Sequence, residues 1–334
     1  GTSGQASSTQ PTPAMATARI AAANRLREAA PVAVHTEEDD DESTRITGGV
    51  PGTEHIACLA GGALGGAGLL ALSGHLAEVP GFGWLGTAAA ATVARLGGAP
   101  WNHVAAKMVT AAAGAKFFAD LVRQPRSLQM IYLPAGFLGA TFSIGGLVAM
   151  GVPRHWQWGC YMMSMSAFHA SEYFVTAVYN RQVLTFDSFL LNHSKAYGIA
   201  AATSWVEYWI EATLFPSFRL PAVCRIGLAL AILGDGLRKL AMCTCGSNFK
   251  HMVADTRLES HKLVTAGVYK LVRHPSYVGW FYWSLGTQLL LCNPVCSVAF
   301  PVVSWRFFNE RIEYEERNLL YFFGDQYAAY QRRV

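Results

Sequence analysis

A histidine–proline turn and a densely charged segment stand close together near the C-terminus of an otherwise largely apolar sequence. The turn spans Gly267 to Gly279 and carries Tyr269, Arg273, His274, Pro275, Ser276 and Tyr277. Proline disfavours helical geometry at the residue before it, so His274-Pro275 stops any helix arriving from upstream. The turn's polar side chains therefore sit on irregular backbone just before an apolar run. They serve either as an interfacial connector, with tyrosine and arginine anchored at headgroups, or as one wall of a polar cavity. The charged segment, Trp305 to Arg317, has seven charged residues in thirteen. Each would cost roughly 2.5–3.5 kcal/mol at a bilayer centre, so the segment must leave the lipid or face such a cavity. Arg311 and Glu315 are four apart and share a helical face, as do Arg306 and Glu310. Arginine comes first in both pairs, the weaker order for helix stabilisation. The arrangement suits a zwitterion, with carboxylate on arginine and ammonium on glutamate, or two ligands of opposite charge. A solvated face accounts for Glu313, Glu316 and Arg317.

The elements that must position these groups read as membrane helices. The chain has 334 residues, 52% hydrophobic and 14% charged, with mean hydropathy +0.23; soluble domains average about 25% charged. A net charge of +4 without a basic block argues against nucleic acid as a partner. Apolar runs of membrane-spanning length, about 20 residues, lie near 55–75, 128–151, 157–179 and 222–242. Residues 83–118, rich in Ala and Gly but carrying Arg95, Lys107 and Lys116, form one long tilted helix or a broken pair. Another span, 198–215, carries Glu207 and Glu211, and two short ones, 277–292 and 294–308, meet at the Asn293-Pro294 turn signal. The expectation is an all-α integral membrane protein of about eight transmembrane helices. Three parts follow: a disordered tail over 1–52, N-terminal helices over 53–153 and a core over 154–334. No internal repeat supports a transporter of inverted halves.

Within the spans, Glu172, Glu207 and Glu211 are costly against lipid; they either bond neighbouring helices, the favoured reading, or line a lipid entrance. Trp280, Tyr282 and Trp283 serve as interfacial anchors or as contacts for a greasy ligand. Cys58, Cys160 and Cys224 read as small packing residues. Neither Cys243 with Cys245 nor Cys292 with Cys296 has a second half at zinc spacing, so neither a metal nor a disulfide framework is expected. Positive charge in the C-terminal loops places them on the cytosolic side.

The runs His261 to Tyr269, Arg273 to Trp283, Leu291 to Pro294 and Trp305 to Phe308 resemble the isoprenylcysteine carboxyl methyltransferase family. Upstream, Phe168 to Tyr173, Asp187 to His193, Arg238-Lys239 and Gly246 to Phe249 extend the likeness over roughly 155–334. The resemblance implies a multi-pass enzyme of the endoplasmic reticulum membrane whose C-terminal region is a cofactor-binding segment facing the cytosol. It would methylate the C-terminal carboxylate of prenylated cysteine on processed CaaX proteins, such as Ras-like and Rho-like small GTPases and lamins. S-adenosylmethionine would be the donor and S-adenosylhomocysteine the product. Carried over by position, His261, Lys262, Leu263, Val264, Tyr269, His274, Pro275, Ser276, Tyr277 and Glu315 would line the cofactor, and Arg311 would bind the substrate carboxylate. Arg311 and Glu315 would be the catalytic pair. The family often has an amide-bearing residue where this chain has Ala254, so any contact there falls to the backbone.

The implied reaction needs no general base, because an α-carboxylate with a pKa near 3.3–3.7 is already ionised at neutral pH. The protein's task is alignment and exclusion of water, which can supply roughly 7–11 kcal/mol. The lipid tail would enter from the bilayer between helices while the peptide stays cytosolic. Alternatives are a phospholipid N-methyltransferase, a sterol reductase using reduced nicotinamide, and a non-catalytic lipid-binding scaffold.

Overall fold

The computed structural model describes residues 126–192 and 194–334. The expected spans over 55–75 and 83–118, the tail over 1–52 and Cys58 lie outside these residues. The described part is helical: α1 (Arg126–Gly151), α2 (Trp156–Tyr179), α3 (Lys195–Leu214), α4 (Pro221–Cys245), α5 (Pro275–Leu291), α6 (Pro294–Phe323) and α7 (Asp325–Arg333), with short 3₁₀ turns between. Local chemistry sets the ends. Pro221, Pro275 and Pro294 each open a helix at its first position, where the missing N–H costs nothing. The Ser194 hydroxyl accepts the Tyr197 amide and caps α3.

The centre of the bundle is the pairing of α4 with α5. Small residues let the backbones touch: a Cβ on Gly234 would come within 2.4 Å of the Trp283 nitrogen, and one on Gly286 within 2.4 Å of the Ala231 nitrogen. This is the close packing that small residues permit between membrane helices. α2 covers the pair, with Phe168 stacked on Trp283 at 3.8 Å between ring centres. Ile226, Leu233, Val298 and Val302, by contrast, point outward and are exposed. Polar residues are buried among the apolar core: Ser204, Gln288 and Asn293 form one buried hydrogen-bonded set. Exposed apolar side chains on the outside, with the buried polar groups paired inside, suit lipid as the surrounding medium.

The pair expected as a short hairpin ends differently. α6 does not stop near 308 but runs on for 30 residues, joining the apolar run and the charged segment in one helix. At 1.5 Å per residue it is about 45 Å long, more than a hydrocarbon core of about 30 Å. The change from apolar to charged residues falls inside this one helix, without any break. Glu207 closes the other end, accepting the Val295 and Cys296 amides at 2.6 and 2.9 Å.

Candidate active site

A cavity of about 170 Å³ opens where the C-terminal end of α4, the N-terminal end of α5, the charged half of α6 and α7 come together. The irregular chain between α4 and α5 forms its outer wall. His261, Lys262, Leu263, Val264, Tyr269, His274, Pro275, Ser276, Tyr277, Arg311 and Glu315, separated by up to 54 positions, all line this one space. Leu190, Trp280, Phe307 and Phe308 add an apolar side. Of the three aromatics considered as greasy-ligand contacts, only Trp280 lines the cavity; Trp283 is buried against Phe168 and Tyr282 is exposed.

Arg311 and Glu315 do share a face of α6, but Tyr277 stands between them. Its hydroxyl accepts from Arg311 Nε at 2.9 Å and donates to Glu315 Oε2 at 2.7 Å. Arg311 Nη2 also donates to the His251 carbonyl. The guanidinium is thus fixed by two of its five donors, leaving Nη1 and one Nη2 hydrogen for a ligand. The other pair, Arg306 and Glu310, is exposed to solvent at 3.3 Å and lies outside the cavity lining.

His274 is held between two carboxylates, with Nε2 2.7 Å from Glu316 Oε1 and Nδ1 3.5 Å from Glu315 Oε2. Burial alone would lower its pKa, but hydrogen bonds and charge from Glu315 and Glu316 raise it to about 9. The imidazolium in turn outweighs burial at Glu315 and, with Tyr277 and Arg311, holds that carboxyl below its usual range. His261 is the opposite case. Burial, then the charges of Lys250 and Arg257, lower its pKa, and its buried Nε2 has no hydrogen-bond partner among the described residues. An orphaned buried ring nitrogen on a cavity wall is costly unless a ligand satisfies it.

Sequence reasoning missed several groups. Glu316, read as solvated, is a junction: besides His274 it accepts from Arg273 at 2.9 Å, Tyr327 at 2.8 Å and Gln331 at 2.5 Å, which ties α7 to the cavity. Those contacts offset burial and push its pKa far down. Tyr327 and Tyr330 of α7 line the space, and no spacing signal pointed to them. Asn248 orders the outer wall by accepting the Lys262 amide at 2.8 Å. Asn318 donates to the Ala254 carbonyl at 3.0 Å, so the backbone at Ala254 is already engaged by α6. Glu172, by contrast, takes the helix-bonding role: it is fully buried and paired with Arg238, Lys239 and His251. Three charged residues within apolar runs were the available signal, since buried charges must be paired. Among the described residues no group of His, Cys, Asp or Glu is arranged to hold a metal.

Residues 227–321 match the model of the isoprenylcysteine carboxyl methyltransferase family. The protein-S-isoprenylcysteine O-methyltransferase of Xenopus laevis is 50% identical over 208 residues, covering 62% of this chain and 72% of that protein. The Homo sapiens enzyme of the same name is 48% identical over 215 residues, 64% of this chain and 75% of that protein. The chain belongs to the isoprenylcysteine carboxyl methyltransferase family. A solved structure, described as that of the eukaryotic intramembrane Ras methyltransferase of this family, is 38% identical with a TM-score of 0.66. It covers 80% of this chain and 95% of that one. The segment matched by the family model contains every cavity residue named from sequence. The methyltransferase's C-terminal tyrosines, Tyr327 and Tyr330, fall beyond it.

Proposed function

We propose that this protein is an integral membrane methyltransferase that esterifies the C-terminal α-carboxylate of prenylated cysteine, with S-adenosylmethionine as donor. The observation carrying this reading is that Arg311 and Glu315, joined through Tyr277, face one cavity that also has an apolar side. A permanent cation suits a carboxylate acceptor, a carboxylate suits the donor's ammonium group, and an apolar wall suits a prenyl chain.

Each residue then has a physical task. Arg311 holds the acceptor carboxylate with the donors that Tyr277 and His251 leave open. It fixes the nucleophile without removing its charge, and no side chain has to accept a proton, because the acid is already ionised. Glu315, kept as a carboxylate, receives the cofactor's ammonium. His261 brings its unpartnered ring nitrogen, and Lys262, Leu263, Val264, Tyr269, Pro275, Ser276 and Tyr277 complete the cofactor's surroundings, with His274 setting the charge of Glu315. When bound, S-adenosylmethionine supplies an electrophilic methyl group on a sulfonium. Phe307, Phe308 and Trp280 exclude water from the reacting end and offer the prenyl chain a path from the bilayer.

About eight helices cross the membrane in this reading, with residues 154–334 as the catalytic core. The cofactor side faces the cytosol at the endoplasmic reticulum, where prenylated C-termini of Ras-like and Rho-like GTPases and of lamins are the acceptors. The deciding assay uses purified protein, a farnesyl-cysteine acceptor and labelled S-adenosylmethionine. Wild type forms a methyl ester and Arg311→Ala does not, while the variant keeps its melting temperature. A folded Arg311→Ala protein with near-normal turnover overturns the assignment.

A further inference from the structure

One side chain that does not line the cavity carries four hydrogen bonds on its carboxylate, as many as Glu316. Glu172 lies in the middle of α2, fully buried, and does not itself line the cavity. Its Oε1 receives Arg238 Nε and Lys239 Nζ, both at 2.5 Å, and its Oε2 receives Arg238 Nη2 at 2.9 Å and His251 Nε2 at 2.8 Å. Two of these partners reach the site. Arg238 Nη1 continues to Ser276 Oγ at 2.7 Å, on the proline turn. His251 offers its carbonyl to Arg311. One buried carboxylate is therefore a single residue removed from each of two site groups, Ser276 and Arg311, which lie on different helices.

We infer that Glu172 is a positioning residue for the methyl transfer, setting Arg311 through His251 and Ser276 through Arg238, and that His251 is the specific link to the carboxylate-binding arginine. The inference rests on the reading of Arg311 given above. The physical reason is the arrangement of constraints. Arg311 enters the cavity from a long helix, and among the described residues the one backbone carbonyl holding its guanidinium belongs to a residue of the irregular wall. Irregular backbone keeps its position only where side chains or hydrogen bonds fix it. The His251 side chain is the tie that fastens this point of the wall to α2, because its ring nitrogen is bonded to Glu172. Lys239 is also tied to Asp235 one turn earlier, at 2.9 Å, so it helps to offset the Glu172 charge without a link to Arg311 or Ser276. The two arms are separable: one variant cuts the path to Arg311, another the path to Ser276.

The test measures both substrates in each variant. His251→Ala removes the ring but keeps the carbonyl that Arg311 uses. It is expected to raise KM for a farnesyl-cysteine acceptor about tenfold to a hundredfold, since small misplacements of a binding group cost that much. Affinity for S-adenosylhomocysteine, read by calorimetry, should stay within twofold of wild type, as should the melting transition. His251→Gln, which can still donate to Glu172, should recover most of the acceptor KM. Ser276→Ala should do the converse, weakening S-adenosylhomocysteine binding several-fold with the acceptor KM little changed. If His251→Ala leaves the acceptor KM unchanged, or weakens both ligands and the fold together, the positioning role is wrong. The reading of Arg311 is tested separately: a folded Arg311→Ala enzyme with normal turnover defeats that reading, whereas an inactive one beside a normal His251→Ala enzyme defeats only the relay.

Discussion

The Tyr277 hydroxyl is the shared partner of Arg311 and Glu315, accepting from the first at 2.9 Å and donating to the second at 2.7 Å. A direct ion pair between residues four apart would neutralise both groups and occupy the donors and acceptors that ligands need. An inserted phenol holds the two side chains apart while keeping both charged. Glu315 Oε1 has no hydrogen bond among the described residues, so the pair presents one open cationic and one open anionic side.

Tyr277→Phe keeps the ring, which stacks between His274 and Phe308, and removes only the bridge. An unsatisfied buried polar group costs about 1–3 kcal/mol, and Arg311 and Glu315 would relieve it by closing on each other. The expected result is a fall in kcat/KM of about tenfold to a hundredfold, affecting acceptor and donor alike, with little change in the melting temperature. Initial rates measured with each substrate varied in turn check this.

Arg311→Lys should not restore function. Lysine keeps the charge but lacks the planar fork whose Nε meets Tyr277 while Nη2 meets the His251 carbonyl. The three donors of an ammonium radiate from one nitrogen, so they cannot span the Tyr277 hydroxyl and the His251 carbonyl while also gripping a carboxylate with two parallel bonds. Turnover on a farnesyl-cysteine acceptor should fall nearly as far as in Arg311→Ala, and recovery to half of wild type would contradict the geometry.

His274 gives a pH dependence whose sign is fixed by its environment. Its folded-state pKa is raised to about 9 by Glu315 and Glu316, against a lowering effect of burial, whereas an unfolded histidine titrates near 6.5. A raised pKa means that the folded state holds the proton more tightly. The contribution is therefore fully present below about pH 6.5 and is lost as pH rises through about 9. Melting temperatures recorded from pH 6 to pH 10 should decline across that interval. In His274→Gln, which keeps a donor but no charge, that decline should largely vanish.

Much of this arrangement was legible from residue types, and what was missed shares one physical cause. The proline after His274, the open order of Arg311 before Glu315 and the length of each apolar run are local, so they are visible in sequence. Six of the expected spans fall on helices, the last of which runs on well past its expected end, and the eleven residues named for the site do meet in one cavity. Glu316 was read as solvated because nothing near it in sequence announces Arg273, Tyr327 and Gln331, which reach it from the turn and from α7. The continuation of α6 past residue 308 was hidden for a related reason. A change from apolar to charged residues reads as the end of a membrane span, yet it need not be the end of the helix. The Arg306–Glu310 pair, identical in spacing to Arg311–Glu315, lies on solvent, so the same motif has two fates decided by what packs against it.

The α4–α5 contact should be the least tolerant of added volume. A Cβ at position 286 would stand 2.4 Å from the Ala231 nitrogen and 2.8 Å from the Gly227 carbonyl oxygen, both backbone atoms that cannot turn aside. The helices would have to separate, and with them the two elements carrying Arg238 and the proline turn into the site. Gly286→Ala is expected to cost about 1–3 kcal/mol, as overpacking usually does. Because Gly286 lies three turns from Ser276, the loss should appear first as a lower melting temperature and only second as weaker cofactor binding. Gly236→Ala is the control: it lies on α4, the other helix of the pair, with nothing within 4 Å of the added atom. Removing a helical glycine in open space should leave stability unchanged or raise it slightly. Equal destabilisation by the two substitutions would mean that the close approach of α4 and α5 is not what holds the bundle together.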